Sequence, residues 1–452
     1  MGNSKSFTRA LLVMLTISIF LFTGEIRGEE KIFQYPIATG TLANGLNVVS
    51  VEFDSPGLIA FYTIVRTGSR NEIEPGKSGF AHFFEHMMFR GTDKYSSEDY
   101  NNVLKAVGAD HNAFTSDDIT AYHSLSSSGA LEAIIQIESD RFQNLKYDEE
   151  DFKKEAGAVL GEYRKSITSP FLPLMEKLRD TAYETHTYKH TTIGFLADIE
   201  DMPNQYEHSL FFFDTYYRPE NCTILVVGDV DHSNLMALAE KYYGNWERGP
   251  GQPEIPQEGA QTEEKRAHLT WENPTLPIMA IGYHGPPFSD TEIDMPALDL
   301  LSQLAFSQSS PLFRKLVIEE QLVDFVQGSA FDRRDATMFM IFTRVKDPAN
   351  VEMVEQEIYK AIEETKTVLA DEERLNSIKS HLKYSFAMGL NSPKSVAGTL
   401  GHYIGLTGDP ETVNRLYKLY DAVTAEDIRN AANKYFSVEN RTVVTLSSDG
   451  GE

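Results

Sequence analysis

The segment SGFAHFFEHMMFRGT sets His82, Glu85 and His86 in the order HxxEH on a stretch that reads as a helix. At 100° per residue the three positions fall within an arc of about 100°, so their side chains project from one face. Both imidazoles can therefore reach one ion. Two His one turn apart can hold Zn²⁺ at about 2.0–2.1 Å, and the carboxylate between them can take a proton from an activated water. Phe80, Phe83, Phe84, Met87, Met88 and Phe89 make the surroundings almost entirely apolar, where three unpaired ionisable groups would be costly to bury. Some partner must satisfy them.

The order is the reverse of the HExxH metalloprotease helix. Zinc held by two His needs a third protein ligand and an open position for water. Glu155 and Glu162 lie seven residues apart in FKKEAGAVLGEYRK, on one face of a later helix with Val159 between them. Spacing alone does not choose between the two. His111, His123, His186 and His190 show no ligand spacing and read as core, surface or loop histidines.

The elements that must position these groups are legible in outline. GLNVVSVEF and LIAFYTIVR read as two strands divided by the turn-like residues 54–57, which predicts a hairpin. A helix runs to Phe89, and Ser96 or Ser97 with Glu98 and Asp99 starts a second that Gly108 ends. HNAFTS and ITAYHSLS follow as strands, then amphipathic helices over about 129–145 and 148–167. Strand pairs alternating with helix pairs give an α+β fold, with a mixed or antiparallel sheet covered by helices on one face.

Residues 249–265, GPGQPEIPQEGAQTEEK, are poor in hydrophobic groups and rich in Pro and Gly, as a linker is. On either side of it, YYRPENCTILVVGD matches KYFSVENRTVVTLSSDG, with Asn221 opposite Asn440 and Thr223 opposite Thr442. TIVRTGSRNE and IGYHGPPFSDTE likewise open the two halves. Duplication of one fold is the better reading. The expected organisation is a signal peptide over 1–28, an N-terminal zinc-binding domain over 29–250, a linker over 251–265 and a homologous domain over 266–452.

The chain has 452 residues, 41% of them hydrophobic, enough for two or three cores. Lys5 and Arg9 before the apolar residues 10–22 read as an export signal, too short for a comfortable membrane span. The expected location is the periplasm, with secretion or an uncleaved N-terminal anchor as alternatives. The formal charge of −26 becomes −28 once residues 1–28 are removed, which repels nucleic acid and anionic lipid. Cys222, the single cysteine, cannot form an internal disulfide and reads as a small buried hydrophobe.

HFFEH followed 76 residues later by Glu162 resembles the insulinase and pitrilysin family of peptidases, in its short branch similar to mitochondrial processing peptidase. HNAFTSDDITAYH, DRFQNL, ADIEDMP and YYRPENCTILVVGD extend the resemblance over nearly the whole mature chain. It implies two homologous α+β domains that form half of a clamshell around a closed chamber, with metal only in the first. It implies one zinc per chain on His82, His86 and Glu162, with Glu85 as general base and Glu155 supporting the site from behind. It also casts Asn112, Ala113, Phe114 and Thr115 as an edge strand that receives peptide substrates by β-addition.

One stretch departs from the pattern. Relatives that work as one subunit carry an Arg and a Tyr in a segment that corresponds here to KLVIEEQLVDF, where Val317 and Asp324 stand instead. The resemblance thus implies a homologous metal-free partner that supplies both residues. The rival expectation is a catalytically silent subunit that binds peptide or serves assembly.

Overall fold

The computed structural model of the protein describes residues 31–448, so the expected signal segment lies outside it. In chain order the first half runs β1 (Ile37–Thr41), β2 (Asn47–Glu52), β3 (Leu58–Val65), α1 (Phe80–Met87), α2 (Ser97–Ala106), β4 (Asp110–Thr115) and β5 (Thr120–Ser127). There follow α3 (Leu131–Asn144), α4 (Glu149–Ser166), α5 (Phe171–Ala182), α6 (Leu196–Asp201), α7 (Tyr206–Tyr216), β6 (Cys222–Gly228) and α8 (His232–Tyr243). The second half runs β7 (Lys265–Thr270), β8 (Ile278–His284), α9 (Asp294–Phe306), α10 (Pro311–Phe313), β9 (Val323–Ser329) and β10 (Met338–Val345). It ends with α11 (Val351–Thr367), α12 (Glu372–Gly389), α13 (Pro393–Thr407), α14 (Thr412–Ala422), α15 (Ala425–Tyr435) and β11 (Arg441–Ser447).

The strands form two mixed sheets, ordered β1-β2-β6-β3-β5-β4 and β7-β11-β8-β10-β9. β6 lies parallel to β2 and antiparallel to β3, and β11 lies parallel to β7 and antiparallel to β8. The repeat therefore holds at the level of pairing. Asn221 donates its side-chain amide to the Tyr216 carbonyl at 2.9 Å, and Asn440 does the same to Tyr435 at 2.6 Å.

The expected hairpin of residues 45–66 does not form. β6, whose residues CTILVVG are all buried, inserts between β2 and β3. A run so apolar needs cover on both faces and a partner on both edges, which only the middle of a sheet provides. Cys222 begins this strand, buried and with its thiol pushed up by that burial.

Each sheet packs its own half's helices on one face. The first core joins Phe84, Phe142, Phe212 and Tyr217; the second joins Leu298, Leu301, Phe339 and Phe436. The opposite faces are covered by exchange. α13 lays Val396, Ala397, Leu400 and Ile404 against Tyr62, Ile64 and Leu225 of the first sheet. α5 lays Leu174 and Leu178 against Ala280, Met340 and Val444 of the second. The connecting stretch is tied down: Glu258 accepts from the amides of Glu184, Thr185 and His186, each at 2.9 Å.

Candidate active site

α1 begins at Gly79, whose φ of 96° is one that glycine adopts without strain. Glu72, buried and upstream, accepts from the amides of Gly79 and Ala81 at 2.7 Å each. Its carboxyl satisfies donors that the helix itself leaves open and sits at the favourable end of the helix dipole. Phe80, Phe83, Phe84 and Met87 turn into the core, where Phe84 stacks on Phe212 with ring centroids 5.4 Å apart. The Tyr122 hydroxyl donates to the Phe84 carbonyl at 2.9 Å and fixes the helix to β5. His82, Glu85 and His86 occupy the opposite, half-buried face.

α4 supplies the facing carboxylates. Asp148 caps it by accepting from the Glu150 and Asp151 amides at 2.9 Å, and Phe152, Ala156, Val159 and Tyr163 bury its inner face. That stripe brings Glu155 and Glu162 against α1. Glu162 Oε2 lies 3.4 Å from His82 Nε2 and 3.6 Å from His86 Nε2. Donors at 2.0–2.1 Å from a shared tetrahedral ion stand about 3.3 Å apart, so the three groups fit one zinc ion. The ligand atoms of His82, His86 and Glu162 all lie within 4.8 Å of one another.

The two imidazoles are shifted in opposite directions, His86 upward by its hydrogen bond to Glu155 and His82 downward. Burial first, and the neighbouring His86 second, push His82 down to about 4, so its ring is neutral near pH 7. His86 Nδ1 lies 3.0 Å from Glu155 Oε1, which places the hydrogen on Nδ1 and turns the Nε2 lone pair toward Glu162. Burial alone would raise the Glu155 carboxyl, but hydrogen bonds from His86 and Arg90 hold it below its ordinary range. Glu155 is thus buried behind His86 while Glu162 is half-exposed on the ligand side. Glu72 and Arg90 escaped the sequence reading; the signal for Arg90 was its place one turn after His86.

Burial pushes the Glu85 carboxyl up, opposed by hydrogen bonds from the hydroxyl and main-chain amide of Thr115. Thr115 ends β4, which pairs with β5 on one side and is an edge of its sheet on the other. The Ser116 amide bonds inward to Ile119 at 2.8 Å, so by antiparallel alternation the main-chain groups of Thr115 and Ala113 point off the edge. Asn112 and Phe114 bond inward instead; the Phe114 ring stands exposed, 6.4 Å from that of His123. Beyond Thr115 opens a cavity of about 660 Å³ walled by Phe171, Leu172 and Met175, with Arg179 and Arg333 in its lining.

The other residues singled out lie elsewhere. Val317 packs against the second core, and Asp324 accepts from Arg344 Nε at 2.6 Å. His186 and His190 are buried, and His186 Nε2 bonds Asp335 at 2.9 Å.

Two family models match: Insulinase (Peptidase family M16) over residues 60–194, and Peptidase M16 inactive domain over residues 205–382. A zinc protease, PqqE, of Helicobacter pylori is 30% identical over 90% of this chain and 91% of that protein. The beta subunit of mitochondrial-processing peptidase of Bos taurus is 26% identical over 90% of this chain and 83% of its own. The crystal structure of a protease from Helicobacter pylori superposes with a TM-score of 0.85 at 29% identity, covering 91% of this chain and 99% of that one. The first half of the periplasmic protease PqqL from Escherichia coli shares the fold, with a TM-score of 0.75 at 19% identity over 91% of this chain and 92% of that one. The whole of PqqL is matched over 48% of its length, as befits half of a clamshell. On its sequence and its fold alike, the chain belongs to the insulinase family of peptidases, M16.

Proposed function

We propose that the chain is a zinc-dependent endopeptidase that hydrolyses peptides or small unfolded polypeptides in an enclosed chamber. The observation that carries this reading is the convergence of His82, His86 and Glu162 within 4.8 Å, beside Glu85 and the open edge of β4. The zinc-protease names of the relatives support it. His82, His86 and Glu162 would hold one zinc, Glu155 would orient His86, and the ion when bound would supply the Lewis acidity that polarises a scissile carbonyl.

Glu85 takes the proton of the attacking water and passes it to the leaving nitrogen, and burial that raises its carboxyl suits both roles. An extended peptide pairs its main chain with the outward groups of Ala113 and the outward carbonyl of Thr115. Asn112 and Phe114 line the same strand from its other face. Main-chain pairing reads backbone, so selectivity falls to the side-chain subsites.

The metal-bearing unit corresponds to residues 29–250, joined through 251–265 to a unit without metal over 266–452. The second unit offers Val317 and Asp324 where donors to the developing oxyanion are needed, which supports work as one half of a heterodimer whose partner supplies Arg and Tyr. Export to the periplasm fits the N-terminal residues and the location of PqqL. Among the described residues no helix is long and apolar enough to cross a membrane.

The deciding experiment is hydrolysis of an internally quenched peptide by the chain with and without chelator. Zinc-dependent turnover supports the reading; binding of the peptide without turnover, in the presence of zinc and any co-purifying homologue, would favour the silent subunit.

A further inference from the structure

We infer that the second half holds the catalytic end of β4 in place through an ion cluster built on Asp117, and that Arg333 is a positioning residue for Glu85. The inference rests on the peptidase reading above. The turn 116–119 that joins β4 to β5 follows directly on Thr115, at the end of the strand that packs on α1, the helix of Glu85. Five residues grip that turn through its two aspartates. Asp117 is buried; its Oδ1 accepts from Arg179 Nη1 at 2.8 Å and Ser69 Oγ at 3.2 Å. Its Oδ2 accepts from Arg333 Nε at 2.7 Å and Arg179 Nη2 at 3.1 Å. Asp118 accepts from the Tyr188 hydroxyl at 2.7 Å and the Arg334 amide at 3.1 Å.

The turn has little freedom on its remaining side. A Cβ on Gly68 would stand 2.2 Å from the Ser116 carbonyl oxygen, and the Arg70 amide donates to the Asp117 carbonyl at 2.8 Å. Arg333 and Arg334 belong to the loop between β9 and β10, in the second half. That loop is itself anchored: the Phe288 amide donates to the Arg333 carbonyl at 2.7 Å, and Asp335 pairs with Arg70 and His186.

A chain of contacts therefore runs from the second sheet through Arg333, Asp117 and the turn to Thr115 and Glu85. A charge-assisted bond inside a site largely closed to water is both strong and directional, which is what placing a carboxylate requires. A base misplaced by about 1 Å can cost about a hundredfold in rate.

The test compares the parent, Arg333→Gln, Arg333→Lys and Asp117→Asn, all loaded with zinc and assayed with any required partner. Arg333→Gln should lower kcat about tenfold or more at nearly parental KM and zinc content, and Arg333→Lys should recover most of the loss. Asp117→Asn should lose more; if it fails to fold, the two Arg333 variants decide. Parental kcat in Arg333→Gln, or a loss confined to KM, overturns the inference. Amide exchange at residues 112–119 gives a reading without turnover: it should quicken in Arg333→Gln and not in Arg333→Lys. Should the parent hydrolyse nothing, the peptidase reading fails while the exchange result still decides the clamp, and unchanged exchange would overturn it.

Discussion

The helix that follows the first long strand of the duplicated fold has opposite uses in the two halves. α1 follows β3, and α9 follows β8, the strand that holds the same place in the second sheet. α9 is buried along most of its length, with Leu298, Leu300, Leu301, Leu304 and Phe306 all inside. α1 buries one face through Phe80, Phe83, Phe84 and Met87 and keeps a second, half-buried face for His82, Glu85 and His86. The scaffold around them is common: a central strand parallel to one neighbour and antiparallel to the other, and an Asn that closes the turn before it. The difference between the copies thus lies in a few polar residues on one helix and two carboxylates brought opposite, where the other copy has an apolar helix.

The largest effect that could break this comparison is loss of the ion. Chelation should abolish hydrolysis and zinc should restore it; turnover that survives complete metal removal would sink the assignment of chemistry to α1 and α4. Next comes the missing donor. On the proposal of a partner subunit, the chain alone should be slower than the pair by a factor of about 10² to 10³, the usual contribution of one oxyanion donor, and full activity from a monomer would show that the second half needs no help.

Within the site, Glu162→Gln should release zinc most readily because an amide is a poorer ligand than a carboxylate. Glu155→Gln should weaken zinc by about 10- to 100-fold, the common cost of losing a partner behind a ligating His. A zinc titration ranking them the other way would exchange their roles. In the second half, Leu301→Ala should cost about 2–5 kcal/mol of stability and leave zinc affinity unchanged, because Leu301 is fully buried and far from any polar duty. Denaturant unfolding with parallel metal analysis checks both parts.

The smallest effect concerns acid. Burial alone would raise Asp117 and Asp335, but Arg179 and Arg333 hold the first, and His186 and Arg70 the second, well below the usual carboxylate range. A carboxyl depressed in the folded state contributes stability that is present above its unfolded pKa of about 4 and lost as pH falls through the folded value. The chain should therefore weaken progressively below about pH 4, and Asp117→Asn should flatten that slope. An unchanged slope would remove Asp117 from the account.

Much of this was legible in the sequence. The spacing of HxxEH and the apolar residues around it marked the helix whose His82 and His86 the fold brings to Glu162, and caps such as Ser96 and Asp148 marked helix starts within a residue or two. The expected hairpin of residues 45–66 fails because the strand that separates β2 from β3 begins only at Cys222. Local pattern reports that a face is apolar and not what will cover it. For the same reason nothing in residues 171–182 or 393–407 announced that each helix would cover the other half's sheet. Glu72, Arg90 and the Asp117 cluster were hidden because their partners are set by folding, up to 216 residues away for Arg333 and Asp117.

The central claim, that Glu85 on the first half's helix performs the proton transfer beside a resident zinc, is tested most directly by measuring zinc content and peptide turnover together on Glu85→Gln. Its amide cannot accept the proton, so zinc should remain at about one per chain while turnover falls by about 10² to 10⁴. Parental turnover with zinc retained would contradict the account.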